Sequence, residues 1–333
     1  MINKKIIKWF SLLIIQLKFY VDTKTNKDKL IYSYKLNSIS KALAVIRKIK
    51  FKITSGNQLK DYKSIGKGTI NRINEILITG KLAEINNYNI SDKHIQYIDK
   101  LIKIFGIGRI KAYELYTKHE IKTIYDLKLA IKKNIINLPE SIIKGIKYVN
   151  KIKTQIPRSE IKLIYYYLIK MANILDPKIH VKMCGSYRRK KEISNDIDVI
   201  ISHPYIITQQ DIITSDLMMR FIKLLKKKKF IIDSFTSDNV LTKYMGVCKI
   251  TKNDLLRRID IRFIPQESYY TSLLYFTGSS GFNRRMRSTA LSMGYSLNEY
   301  RLLNEKSQPM IVNSEKDVFN YLNMEYINPK YRE

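Results

Sequence analysis

The sequence predicts an α+β protein: an all-helical amino-terminal part, then a domain built on a mixed β-sheet, then a small α/β carboxy-terminal lobe. Three observations carry that reading. Apolar residues recur at helical spacing in the amino-terminal part, a Gly-containing turn between helices occurs there twice, and from about residue 178 the apolar pattern alternates with period two. With 333 residues the chain has room for two domains or more.

Composition narrows the function. Lys plus Arg is 61 and Asp plus Glu is 29, a formal net charge of +32. So basic a chain repels itself unless an anion neutralises it, which points to a polyphosphate partner, nucleic acid first and an anionic membrane second. Hydrophobic residues make up 45%, which excludes a disordered basic tail. Cys184 and Cys248 are the only cysteines, which excludes a disulfide scaffold and a cysteine zinc site. The 4 histidines are scattered, so a catalytic metal is expected on carboxylates, which suits Mg²⁺. Ile, Lys and Asn are abundant, and Tyr at 24 outnumbers Gly at 12 and Pro at 7. The abundant residues have AT-rich codons, so the source is expected to be an AT-rich large DNA virus, such as an insect poxvirus, or an AT-rich parasite.

In chain order, the first element is a packed helix. Lys4, Lys5 and Lys8 precede an apolar run, Trp9 to Ile15, which Gln16 and Lys18 end before it could span a bilayer. The protein is therefore read as soluble and intracellular, with no membrane partner. Residues 39–85 read as helices: Ala42 to Ile46, then Ile70, Ile73, Ile76 and Leu77, closed by Gly80. Between them lies Lys63-Ser64-Ile65-Gly66-Lys67-Gly68. A second version follows, Ile104-Phe105-Gly106-Ile107-Gly108-Arg109. Hydrophobic-Gly-hydrophobic-Gly between two helices is the helix-hairpin-helix pattern, whose backbone N–H groups reach a DNA phosphate and whose carbonyls can hold a monovalent cation. The first copy is the weaker, because Ser64 stands in place of its first glycine.

The strands follow. Val181 to Ser186 leads to Asp196-Ile197-Asp198-Val199-Ile200-Ile201, and later comes Arg257-Arg258-Ile259-Asp260-Ile261-Arg262-Phe263. Period-two alternation puts Asp196 with Asp198 on one face, and Arg258, Asp260 and Arg262 on one face of the other strand. If those strands are neighbours, three carboxylates converge. Such a set can hold two Mg²⁺ about 3.5–4 Å apart for in-line phosphoryl transfer. Upstream, Gly185-Ser186-Tyr187-Arg188-Arg189 offers a tight turn, a hydroxyl and two guanidiniums, the groups wanted for a triphosphate. The run Lys226 to Lys229 reads as a solvated helix end.

A Gly-Ser turn followed at this distance by Asp-x-Asp is the signature of the nucleotidyltransferase fold, and here the chain resembles the beta-like members of the DNA polymerase X family. Gly185 to Arg189, Asn195 to Val199, and Arg257 to Arg262 match the family's palm. Tyr275-Phe276-Thr277-Gly278-Ser279, Phe282-Asn283 and Met286-Arg287 match its nucleotide-binding region, and Asn298-Glu299-Tyr300 and Ser314 to Asp317 its carboxy-terminal lobe. The resemblance implies four parts: a lyase-type, 5′-phosphate-binding helical domain at 1–90, a helix-hairpin-helix DNA-binding subdomain at 91–153, a catalytic palm at 154–265, and a nucleotide-selection lobe at 266–333.

The resemblance also implies roles. Asp196 and Asp198 bind both Mg²⁺ ions, and Asp260 binds the catalytic one and takes the primer hydroxyl's proton. Arg258 holds the primer terminus and orients Asp260. Ser186, Arg189 and the backbone near Asn195 hold the triphosphate. Gly278 permits an unusual peptide that exposes Tyr275, next to Phe276, to the sugar. Asn283 meets the incoming base and Arg287 the template. The carbonyls of Lys60, Tyr62 and Ile65, and of Ile102, Ile104 and Ile107, each hold Na⁺ or K⁺ against DNA phosphates.

Three positions depart from the family. Ser280 stands where a carboxylate is usual and Gln155 where an arginine is. Arg72 occupies the position of the family's Schiff-base lysine, and a guanidinium stays protonated and cannot form an imine. Lys35, Lys60 and Lys67 remain nearby, with Lys35 and Lys67 the first candidates for a weaker nucleophile; otherwise the domain only binds a 5′-phosphate. The leading reading is a monomeric, template-directed DNA polymerase that fills short gaps in double-stranded DNA from dNTPs during base excision repair, with a possible weak 5′-deoxyribose-phosphate lyase. The alternatives are a template-independent nucleotidyltransferase and a non-catalytic DNA-binding protein. The expected location is a cytoplasmic viral factory for a viral source and the nucleus otherwise.

Overall fold

The computed structural model describes residues 3–23, 26–49, 51–85, 92–237, 239–251 and 255–333. The chain divides into two compact units, Met1–Leu138 and Pro139–Glu333. Unit one is helical: α1 (Lys4–Thr23), α2 (Asn26–Lys48), α3 (Lys67–Thr79), α4 (Asp92–Leu101), α5 (Arg109–His119) and α6 (Ile124–Lys132). On α1, Ile6, Phe10, Leu13 and Leu17 fall on one stripe and are buried against Ile39, Ala42, Leu43 and Ile46 of α2 and Ile73 and Ile76 of α3. The expected first helix is thus a packed one, and among the described residues no helix is long and apolar enough to cross a membrane. Trp9 Nε1 donates to the carbonyl of Gly80 at 2.8 Å, and Gly80 ends α3 at φ +77.

The two glycine turns fold alike. In the first, Tyr62 N donates to Leu59 O, Ile65 N to Tyr62 O, and Ile70 N to Gly66 O; in the second, Ile104 N donates to Leu101 O, Ile107 N to Ile104 O, and Ala112 N to Gly108 O. Ser64 sits at φ +76 and Gly106 at φ +86, so Ser64 takes the left-handed conformation that its glycine counterpart takes freely. Gly66 and Gly108 are the N-caps of α3 and α5, and a Cβ added at either would meet nothing within 4 Å.

Unit two contains α7 (Glu140–Tyr148), β1 (Ile156–Pro157), α8 (Arg158–Leu175), β2 (His180–Met183), α9 (Gly185–Arg188), β3 (Ile193–Ser194), β4 (Ile197–Ser202), α10 (Gln209–Thr214), α11 (Leu217–Lys227), β5 (Ile231–Ser234), β6 (Lys243–Cys248), β7 (Arg257–Phe263), α12 (Tyr269–Thr277), α13 (Ser280–Ser292), β8 (Ser296–Leu297), β9 (Leu302–Leu303) and α14 (Glu315–Tyr321). The main sheet runs β2-β4-β7-β6-β5. Only its β4–β7 pair is parallel, so the sheet is mixed, as predicted. Val199 and Ile201 of β4 and Ile259, Ile261 and Phe263 of β7 share a core with α8 and α11. Ile200, on the opposite face, packs with Leu273 and Phe276 of α12. That second face therefore carries Asp198, Asp260 and their neighbours. Lys226 and Lys227 lie in the last turn of α11, where cations complement the helix dipole, as expected of a solvated helix end. Both cysteines are free and buried.

Candidate active site

The parallel pairing of β4 with β7 sets Asp198 directly against Asp260. Asp196 lies one residue before β4 rather than inside it, yet an oxygen from each of Asp196, Asp198 and Asp260 lies within 4.8 Å of the others. Among the described residues this is the one group of three or more His, Cys, Asp or Glu able to hold a metal ion. The arrangement is anchored from below. Arg257, the buried neighbour of Arg258, donates to Glu160 on α8 through Nε at 2.7 Å and Nη2 at 2.6 Å, and Cys184 N donates to Asp198 O at 2.8 Å.

Three close carboxylates repel one another, and the electrostatics show it. Burial, then the charges of Asp196 and Asp260, push the Asp198 carboxyl up to about 7. Burial raises Asp260 as well, against the pull of Arg258. Arg258 Nη2 donates to Asp196 Oδ2 at 2.7 Å and to Asp260 Oδ2 at 3.0 Å. One guanidinium cannot satisfy the cluster: Asp260 Oδ1 is buried without a hydrogen-bond partner. An orphaned carboxylate oxygen among two more carboxylates is what a divalent-cation site looks like without its ions, so these residues fit a two-cation site.

Beside the carboxylates opens a cleft of about 610 Å³. Of the residues predicted to bind nucleotide, Ser186, Arg189, Asn195, Tyr275, Phe276, Gly278, Ser280, Asn283 and Arg287 all line it, together with Asp196 and Asp198. Arg258 and Asp260 are not among its lining residues; Asp260 lines a smaller pocket beside Asp198, with Arg262 and Phe276. Gly185 starts the phosphate-type turn at φ +51, and a Cβ there would fall inside the Asp198 carboxylate. Ser186 Oγ donates to Ser194 Oγ at 2.7 Å, tying the turn to β3. Gly278 adopts φ +64 and the Gly278–Ser279 peptide is cis. Asn283 Nδ2 donates to Tyr275 O at 2.7 Å, and Arg287 lies 5.9 Å from the Tyr275 ring.

The two guanidiniums of the Gly-Ser turn, both suited to a triphosphate by their chemistry although the resemblance assigns only Arg189 to it, have separate fates. Arg189 lines the cleft, donates to Thr277 O at 2.5 Å and keeps its buried Nε without a partner. Arg188 turns inward. It donates to Thr277 Oγ1 at 2.6 Å and to Glu315 at 2.9 and 2.6 Å. Glu315 also accepts from Arg332 at 2.6 Å, and Arg332 is fully buried beside Phe282, Phe319 and Tyr326. Burial pushes the Glu315 carboxyl up, but Arg188 and Arg332 outweigh it and hold the group below its usual range. Arg284 and Ser279 also line the cleft; Ser279 belongs to the matched nucleotide-binding motif but was given no role, and Arg284 was not singled out. Arg284 could have been found from its place one residue after Asn283 and one helical turn after Ser280. Gln155 sits at φ +63 and is not among the lining residues.

In unit one, Lys60, Tyr62 and Lys67 are exposed, Ile65, Ile104 and Ile107 are buried, and Ile102 is half-buried. Lys35 Nζ and Arg72 both donate to Glu84, a residue that the sequence reading did not single out.

A parallel strand pair presenting three carboxylates, with a Gly-Ser turn and a cleft beside it, is the palm of a nucleotidyltransferase. Residues 155–266 match the model of the DNA polymerase beta palm, residues 272–333 the DNA polymerase beta thumb, and residues 1–82 a helix-hairpin-helix domain. The chain is 30% identical over 314 residues to DNA polymerase lambda of Arabidopsis thaliana, covering 89% of this chain and 57% of that protein. It is 27% identical over 309 residues to DNA polymerase lambda of Rattus norvegicus (88% and 52%), and 24% identical over 316 residues to the DNA polymerase type-X family protein pol4 of Schizosaccharomyces pombe (90% and 60%). These matches place the chain in the DNA polymerase X family. It spans 52–60% of the length of these curated relatives.

Proposed function

We propose that the chain is a template-directed DNA polymerase that fills short gaps during base excision repair, transferring a nucleotidyl group from a dNTP to a primer 3′-hydroxyl with Mg²⁺. The observation that carries the reading is the register of Asp198 against Asp260, next to a cleft lined by the Gly-Ser turn and by α12 and α13. Asp196, Asp198 and Asp260 would hold two Mg²⁺, which supply charge neutralisation and lower the pKa of the attacking hydroxyl. Ser186 and Arg189 receive the triphosphate. Asp260, with a buried free oxygen, receives the hydroxyl proton, and Arg258 fixes its orientation. Asn283 and Arg287 select the base pair. Tyr275 and the Gly278 backbone meet the sugar, and Phe276 backs them.

We extend the reading to the parts of the chain. The working division is 1–90 for the downstream DNA end, 91–153 for the primer side, 154–265 for catalysis and 266–333 for nucleotide selection. The two hairpins share one hydrogen-bond pattern; from the family resemblance we propose a cation at each, Na⁺ or K⁺, held by the carbonyls of Lys60, Tyr62 and Ile65, and of Ile102, Ile104 and Ile107. Removal of 5′-deoxyribose phosphate is proposed to be weak, through Lys35 or Lys67, because Arg72 cannot form an imine. The protein is proposed to act as a monomer. A nuclear location is proposed for a cellular source; a viral source and its cytoplasmic factory rest on the AT-rich composition alone.

The test is extension of a primer across a one-nucleotide gap, compared with the same primer single-stranded. Templated, Mg²⁺-dependent addition of the complementary nucleotide is expected. Equal, unselective extension of the single strand would favour the template-independent alternative instead.

A further inference from the structure

Two of the cations around the expected 5′-sugar-phosphate site, Lys35 and Arg72, end on one carboxylate. Lys35 Nζ donates to Glu84 Oε2 at 2.7 Å. Arg72 donates to the same carboxylate through two nitrogens, Nε to Oε1 and Nη2 to Oε2, the latter at 3.0 Å. Its Nη1 donates to Gly68 O at 2.9 Å. A bidentate guanidinium with an ammonium beside it is a donor set suited to phosphate. Here a carboxylate fills it.

Glu84 is held where it is. Gln16 Nε2 donates to the Glu84 carbonyl at 2.9 Å, Ala83 N donates to Glu75 Oε1 at 2.5 Å, and Trp9 pins Gly80. The segment 80–84 is thus fastened to α1 and α3 from both sides. Burial pushes the Glu84 carboxyl up, but the bonds from Arg72 and Lys35 outweigh it and keep the group below the usual carboxylate range.

We infer that Glu84 is a built-in counter-ion seated between Lys35 and Arg72, so that a 5′-phosphorylated DNA end gains nothing from those two cations unless the carboxylate is displaced. The Lys35 ammonium is engaged with a carboxylate, so of the two lyase candidates the exposed Lys67 is the one left open to a sugar aldehyde. Recognition of the downstream end then falls to the exposed Lys60 and Lys67 and to the backbone of the first hairpin. This inference rests on the gap-filling reading for its substrate.

The experiment compares two gapped duplexes that differ only in a 5′-phosphate or a 5′-hydroxyl at the downstream end. Binding is measured at one salt concentration for the wild type and for Glu84→Gln, with folding followed by circular dichroism. The wild type should prefer the phosphate by no more than about twofold, as for exposed ion pairs. Glu84→Gln should prefer it by about tenfold, the return of one charge-assisted hydrogen bond. The same preference in both proteins, whether absent or already strong, overturns the inference. If Glu84→Gln does not fold, Lys35→Gln replaces it: an unchanged wild-type preference supports the inference and a lost preference overturns it. Gap filling is read on the same duplexes, so a failed polymerase reading shows there and a failed counter-ion shows only in the phosphate preference.

Discussion

Replacing Glu315 with alanine should be among the most destabilising changes available in unit two. Glu315 is 7% exposed and joins Arg188 of the Gly-Ser turn to Arg332, which is 0% exposed. Removing one partner of a buried ion pair costs about 3–5 kcal/mol, because the remaining charge is left without compensation. Here two guanidiniums would be stranded, so about 5 kcal/mol is expected, which for a unit of this size corresponds to roughly 10–20 °C in Tm. The cost should depend on pH with a definite sign. The folded carboxyl lies below its usual value, so its contribution is full above the unfolded pKa and is lost as pH falls through the folded one. The gap in Tm between wild type and Glu315→Ala should therefore be complete at neutral pH and narrow below about pH 4. Thermal melts followed by circular dichroism across pH measure it. A loss of Tm under roughly 4 °C at pH 7 would refute the reasoning, since it would mean that the guanidiniums find solvent or new partners at little cost.

Other expectations follow from the same structure. Asp260→Ala should abolish nucleotide addition while leaving gapped-DNA binding within a few-fold, because affinity comes mainly from Lys and Arg on phosphates; extension by the variant at saturating Mg²⁺ would contradict the assignment. If six to ten phosphates are contacted, binding should weaken by about 10³–10⁵ between 50 and 200 mM salt, and a nearly flat log–log plot would separate the +32 charge from DNA binding. Ser64→Gly should stabilise unit one by about 0.5–1 kcal/mol, the relief of a left-handed serine less the added freedom of the unfolded chain; an unchanged or lower Tm would show that the serine side chain compensates.

The palm was legible in the sequence because its chemistry follows a local period. Asp198, Asp260 and Arg258 stand at alternate positions within strands, so their shared face could be read before their register was known. The hairpins were legible for a similar reason: each is set by a short glycine-bearing turn, and even Ser64 keeps its conformation. What stayed hidden depends on distant pairing. Arg188 and Arg189 are adjacent and chemically alike; the resemblance set Arg189 apart, but the inward role of Arg188 depends on Glu315, far along the chain. Glu84 carried no motif at all. Its meaning comes from α2 and α3 meeting across the segment that α1 holds down.

Two kinds of glycine stand at the two ends of this molecule's chemistry. At Gly185 the fold itself has no space: a methyl group would displace the Asp198 carboxylate, so the Gly-Ser turn and the carboxylate cluster are locked into one unit and can be altered only together. At Gly66 and Gly108 the fold leaves the space empty, and a methyl group would offend nothing inside the protein. Alanine at those caps is therefore a probe of whatever approaches from outside. A protein that folds normally and grips DNA less well would report, through two missing hydrogens, where the backbone of the nucleic acid comes to rest.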